Sequence, residues 1–221
     1  MVKVASYQLH FLPHAYIVAR YLQGDKAVLT VDVDFDRNHW VHRCELPDGE
    51  KLTLPIKRSA PGRKETIAQK LITYSDEGAY DRILPRLKEV YGHLPHFQEP
   101  FEIVSAFMND RPMYLWFLNF SILTQFLDRM GIDPRGRIIV SSSLELTQKK
   151  SWRVIELCKK LDADEYVCGR TAYDSYLEHD AFEKSGIKLT VQDWKGPNVN
   201  IFELVATHGW DEAKRLLLNN N

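Results

Sequence analysis

Apolar positions along this chain switch between a two-residue and a three-to-four-residue period, and the switches outline its elements. Residues 2–8 read as a first strand, followed by the apolar turn Leu9, His10, Phe11, Leu12 and by Pro13 at a helix start. Residues 14–23 then carry helical spacing up to Gly24, and residues 27–35 read as a second strand with Asp32 and Asp34 near its end. Residues 40–56 alternate around Pro47, Asp48 and Gly49, which predicts a β-hairpin. Helical spacing returns over 76–91 and 97–109, and then over 113–130, the most apolar stretch of the chain. Ser121, Thr124, Gln125 and Asp128 run along that last segment as a polar stripe, so it reads as a central, largely buried helix and not as a membrane span. Asp110 as cap, Pro112 near the first turn and Gly131 past the last would bound it.

The most informative stretch is 137–171. A strand at Arg137 to Val140 runs into the hydroxyl cluster Ser141, Ser142, Ser143, and the cationic turn Lys149, Lys150, Ser151 opens a helix over 152–161. A strand at 165–168 follows, with the turn Gly169, Arg170, Thr171 after it. Parallel strands joined by a helix put both turns at the carboxyl edge of the sheet, where unpaired backbone N–H groups receive anions. Short helices at 172–177 and near Ala181, a strand at 187–193 and helices at 201–206 and 211–218 complete the chain, before a terminal run of three asparagines. Strands alternating with helices predict one α/β domain over 1–221, a mostly parallel, Rossmann-like sheet flanked by helices. A β-hairpin and a helical insertion at about 76–130 are added to it.

Composition narrows the function classes. With 29 basic and 30 acidic residues among 221, the net charge is -1, and no global basic field advertises nucleic acid. A hydrophobic content of 44% argues for a folded core. Cys44, Cys158 and Cys168 form neither an even set nor a CxxC pair and read as reduced core thiols. With no signal peptide visible, a cytoplasmic protein is expected.

Several residues are candidates for chemistry. Lys149, Lys150, Ser151 and Arg153 offer charge-assisted bonds to a phosphate, and Gly169, Arg170 and Thr171 repeat the arrangement, with Gly169 permitting a tight turn and Thr171 as cap. The Gln8 to His14 turn follows the first strand, so His10 or His14 could act as general base. Asp32 and Asp34, joined by Asp36, stand at strand spacing and could hold a divalent ion, or else form a polar face paired to Arg37 and Arg43. His39 and His42, three apart on an expected strand, and His93 and His96, in a proline turn, make poor zinc ligands. Lys57, Arg58, Arg63 and Lys64 form a basic loop that could track a polynucleotide, aided by Trp40 or Trp194 under a splayed base.

Three groups of residues resemble the WbqC-like proteins: Tyr7 to Pro13; Val31 to Phe35 with Arg37, Trp40 and Arg43; and Leu54, Pro55, Ile56 and Lys57. The similarity is clearest through Lys150, Ser151, Arg153, Cys158, Asp164, Tyr166, Gly169 and Tyr176, and it ends at Phe182, Gly186, Ile187 and Gln192. His14 stands where a tryptophan is common, Val31 replaces an aspartate, and Cys44 and Glu45 replace an asparagine and an arginine. The resemblance implies a role in decorating surface polysaccharide such as O-antigen, or in hypermodifying pyrimidines of phage DNA. The shared chemistry would be transfer of an amino acid such as glycine, or a similar amine, to an activated, phosphate-bearing acceptor. His10, His14 and Asp32 would be catalytic. Gln8, Arg37, Arg43, Lys57, Ser142, Lys150, Ser151, Arg153, Gly169, Arg170 and Thr171 would bind substrate or phosphate. No cofactor and no membrane is called for; the partners are a phosphorylated small molecule or modified DNA and an amino acid, and a homodimer stays open. The alternatives are a metal-dependent glycosyltransferase using Asp32 and Asp34, and a phospho-ligand-binding protein without turnover.

Overall fold

The computed structural model describes residues 1–75 and 78–219. Its strands are β1 (Lys3–Gln8), β2 (Lys26–Thr30), β3 (Arg43–Glu45), β4 (Lys51–Thr53), β5 (Ile138–Val140), β6 (Glu165–Cys168) and β7 (Lys188–Val191). Five of them form a wholly parallel sheet in the order β5-β2-β1-β6-β7, while β3 and β4 make a separate antiparallel hairpin. The helices are α1 (Ala15–Gln23), α2 (Ile83–Tyr91), α3 (Gln98–Asn109), α4 (Leu115–Arg129), α5 (Lys150–Lys160), α6 (Arg170–Ser175), α7 (His179–Lys184) and α8 (Ile201–Asn219). Strand alternation divides the core in two: Ala27 and Leu29 point into a layer with α1, α4 and α8, whereas Val28 joins α5 and α7 on the opposite face.

The order of connections positions the site. From β1 the chain passes through α1 to β2 and, after the hairpin and helical insertion, to β5 beyond it; α5 then carries it back across the sheet to β6 on the other side of β1. Segments leaving the carboxyl ends of β1 and β6 therefore diverge, which opens a crevice at the switch point. The α/β fold with a hairpin and a helical insertion is as expected. The strands on either side of α5, although parallel, are separated by β2 and β1.

Several boundaries differ from the expectation, each for a local reason. The second strand ends at Thr30, because the Val31 amide donates to Ser141 Oγ (3.0 Å) and Asp34 bridges to Thr66, so Asp32, Asp34 and Asp36 do not share a strand face. The first insertion helix starts at Ile83; the expected start at Asp76 lies outside the described residues, as do the last two terminal asparagines. Tyr114, not Asp110, is the N-cap of α4, Asp110 being the C-cap of α3, and α4 is buried on one side only, leaving Phe117 49% exposed. α5 begins at Lys150, two residues early, and α6 begins at Arg170 with Gly169 as N-cap, which places Thr171 inside the helix. The two expected closing helices are both present within α8, separated at Gly209, whose backbone is non-helical (φ 74°, ψ 172°). Among the described residues no helix is long and apolar enough to cross a membrane.

Candidate functional site

A cavity of about 720 Å³ opens at the carboxyl ends of β1, β2 and β6, in the size range of small-molecule sites. Its deepest cation is Arg20, on the sheet-facing side of α1 and only 7% exposed. Its Nε donates to Gln192 Oε1 (2.9 Å), and the guanidinium lies 5.4 Å and 5.9 Å from the ring centres of Tyr7 and Tyr16. Among the described residues its Nη atoms meet neither a carboxylate nor another acceptor. Gly169 makes room for this group. Its backbone is ordinary extended chain (φ -84°, ψ 157°), so the glycine is not needed for a tight turn. A Cβ there would stand 2.7 Å from Arg20 Nη2.

Lys150, Arg153 and Arg170 line the same cavity nearer to solvent. Arg153 Nη2 donates to Asp32 Oδ1 (2.6 Å), and the Ser141 hydroxyl donates to that same oxygen. Burial raises the Asp32 pKa, but the hydrogen bonds from Ser141 and Arg153 outweigh it and hold the carboxyl below its usual value. Opposite them, His39 Nδ1 lies 3.1 Å from Gln8 Oε1, an acceptor that places the proton on Nδ1, and His39 Nε2 is 3.7 Å from Asp36. Tyr166, whose hydroxyl pairs with Ser6 (2.8 Å), and the exposed Tyr176 complete the wall.

Of the residues expected at the site, Gln8, Lys150, Arg153, Gly169, Arg170 and Thr171 reach the cavity, and Asp32 reaches it through Arg153. The others do not line it. His10 is 3% exposed and packed edge-on to Tyr7; burial first, then His14 and His39, lower its pKa to about 3, so it is a neutral core group. His14 faces Glu45 (3.7 Å) and Trp40, and its pKa too is lowered by burial. Ser151 is fully buried and joins α5 to the end of α6, donating to the Tyr176 carbonyl and accepting from the Glu178 amide. Ser142 is exposed on a 3-10 turn, Arg43 donates to the Arg37 carbonyl, and Lys57 belongs to the separate basic loop. Asp34 pairs with Lys64 (3.5 Å), away from Asp32's partners, and among the described residues no three His, Cys, Asp or Glu side chains converge on a metal position. Trp40 lies 5.3 Å from Lys51 Nζ, and the Trp194 ring lies against Gly196, with Nε1 on the Pro197 carbonyl. The three cysteines are free and buried, Cys158 pushed up to about 12 by desolvation.

Arg20, Tyr7, Tyr16, His39 and Tyr166 were not singled out as site residues from the sequence. For Tyr7 and Tyr166 the one available signal was their place near the carboxyl end of a strand; nothing local marked Arg20.

Fold and cavity together define the class: a doubly wound, parallel α/β protein with a cation-lined crevice at its switch point. The chain belongs to the WbqC-like protein family, whose model matches residues 8–201. It is similar to the uncharacterized protein Rv1507c of Mycobacterium tuberculosis (strain ATCC 25618 / H37Rv), with 26% identity over 202 residues, 89% of this chain and 84% of that protein. No solved structure matches it with significance.

Proposed function

We propose that this WbqC-like protein is a cytoplasmic transferase that joins an amino acid or similar amine to an activated, phosphate-bearing acceptor in the β1–β6 crevice. The observation that carries this reading is the set of four cations around one cavity, Arg20, Lys150, Arg153 and Arg170, of which Arg20 is buried without a counterion among the described residues. A buried charge without a partner is costly, and a ligand anion removes that cost on binding.

The chemistry is a displacement. The neutral amine nitrogen attacks the acceptor carbon that carries the phosphate; a C–N bond forms, the C–O bond breaks, and the leaving group departs with the bonding pair, as inorganic phosphate from a phosphorylated hydroxymethylpyrimidine or as a nucleoside diphosphate from a nucleotide-linked sugar. The amine proton passes to a base. His39, at the cavity with Gln8 on Nδ1 and Nε2 3.7 Å from the Asp36 carboxylate, fills that role in place of His10 and His14. Lys150, Arg153 and Arg170 hold the leaving phosphate.

The test incubates the pure protein with mixed amino acids and either a DNA oligomer carrying a phosphorylated hydroxymethylpyrimidine or a set of nucleotide-linked sugars, read by mass spectrometry. A mass change of plus one amino acid and minus one phosphoric acid on the oligomer, or a sugar carrying the amino acid in place of its nucleoside diphosphate, is expected, and which one forms decides between DNA and polysaccharide. Binding of both acceptors with no gain on either sinks the transferase reading.

A further inference from the structure

The four cations of the crevice are not equivalent. Arg170 and Lys150 are exposed, and Arg153 is intermediate and already neutralised by Asp32, so the rim can meet a dianion while water still screens the excess charge. Arg20 is deeper and different: 7% exposed, walled by the rings of Tyr7 and Tyr16, and held at Nε by the neutral amide of Gln192. That bond fixes the guanidinium plane and leaves the two Nη groups as a parallel fork, the geometry that a carboxylate meets with two hydrogen bonds. A single negative charge neutralises this pocket, whereas a phosphate of charge about -1.5 to -2 would bury an excess there.

We propose that Arg20 is the carboxylate receptor of the crevice, taking the α-carboxylate of a small amino acid while the rim cations hold the acceptor's phosphate. Arg20's role rests on the transferase reading above, in which an amino acid is the donor. Gly169 is part of the receptor, because its missing Cβ leaves the space that Nη2 occupies.

The experiment is calorimetric titration of the full chain with glycine, with glycinamide and with inorganic phosphate, the amino compounds both alone and at saturating phosphate. Glycine binds, and glycinamide, which keeps the amine but lacks the carboxylate, binds at least about 30-fold more weakly. Arg20→Lys keeps the charge and loses the fork; it weakens glycine at least about tenfold and phosphate by less than about threefold. The glycine and glycinamide comparison needs no variant and decides the matter even if Arg20→Lys fails to fold. Equal affinity for the two, no glycine binding under either condition, or a loss of phosphate affinity in Arg20→Lys while glycine is unaffected would each overturn the assignment. Amino acid transfer with an unchanged KM for glycine in Arg20→Lys removes the receptor and leaves the transferase. Arg20-dependent glycine binding without mass gain on any acceptor does the reverse.

Discussion

Arg20 and Lys70 are both buried cations, 7% and 2% exposed, yet they are treated in opposite ways. Lys70 Nζ is 2.8 Å from Glu65 Oε2 and 2.8 Å from Ser59 Oγ, and it sits 5.2 Å from the ring centre of Phe35. Its backbone carbonyl also accepts from Leu115, the first residue of α4, so the residue ties the basic loop to the helical insertion. Among the described residues Arg20 meets a neutral amide and two aromatic faces, and it opens into a cavity. A cation that serves the fold carries its counterion within the protein. One that serves a ligand leaves that place vacant.

Stability should separate the two most strongly. Lys70→Ala deletes a long stem from a closed site and strips Glu65 of its main partner; a loss of about 3 kcal/mol in urea unfolding is expected, with anion affinity unchanged. Arg20→Met keeps the bulk and removes an uncompensated charge, so its stability should stay within about 1 kcal/mol of the parent while glycine binding disappears. If Arg20→Met proves the more destabilising of the pair, the distinction drawn between them fails.

Acid sharpens the contrast between core and site next. Burial, followed by neighbouring cations or other histidines, lowers His10 to about 3 and His42 to about 4. Their folded values lie below the unfolded value of about 6.5, so the unfolded chain takes up protons first. Their contribution is therefore complete above that value and is lost as pH falls from about 6.5 toward 4 and then 3, at up to about 1.4 kcal/mol per pH unit for each histidine. Unfolding free energies measured between pH 7 and 4 should show this slope, and His10→Gln should flatten it without changing turnover at pH 7. An undiminished slope in that variant would remove His10 from the account.

Asp32 is expected to have a smaller effect, of a different kind. It positions Arg153, so Asp32→Asn should lower kcat/KM for the phosphorylated acceptor about tenfold while glycine affinity holds. Equal losses for both ligands would mean that the cavity had deformed as a whole.

What was legible in the sequence follows from how local each feature is. The parallel strands were readable because apolar runs such as Ala27 to Leu29 and Tyr166 to Cys168 are buried on both faces, and the hairpin because Gly49 supplies a positive φ of 81°. The end of β2 was not: Val31 to Phe35 alternates like a strand, and only Ser141, more than a hundred residues on, draws the Val31 amide out of the ladder. His10 looked catalytic because it follows a strand end. The turn instead folds inward, its Phe11 amide on the Val41 carbonyl. Arg20 could not be recognised, since an arginine in the last turn of an amphipathic helix looks like a surface charge until β6 brings Gly169 against it.

The smallest predicted effect tests that contact most directly. At φ -84° and ψ 157° alanine is as comfortable as glycine, so Gly169→Ala should change stability by no more than about 0.5 kcal/mol. The added methyl would nonetheless lie 2.7 Å from Arg20 Nη2 and 3.0 Å from Cζ, and the guanidinium must tilt away from it, against the Gln192 bond that fixes its plane. A tilted fork presents one donor well and the other badly, and glycine affinity should drop by about threefold to tenfold. In the Arg20→Lys background the same alanine meets a slimmer ammonium and should cost nothing further, so the two changes must be strongly non-additive in a double-mutant cycle. Additive losses would show that Gly169 touches the ligand or the α6 turn on its own account, and the pairing of a missing Cβ with a missing counterion would dissolve.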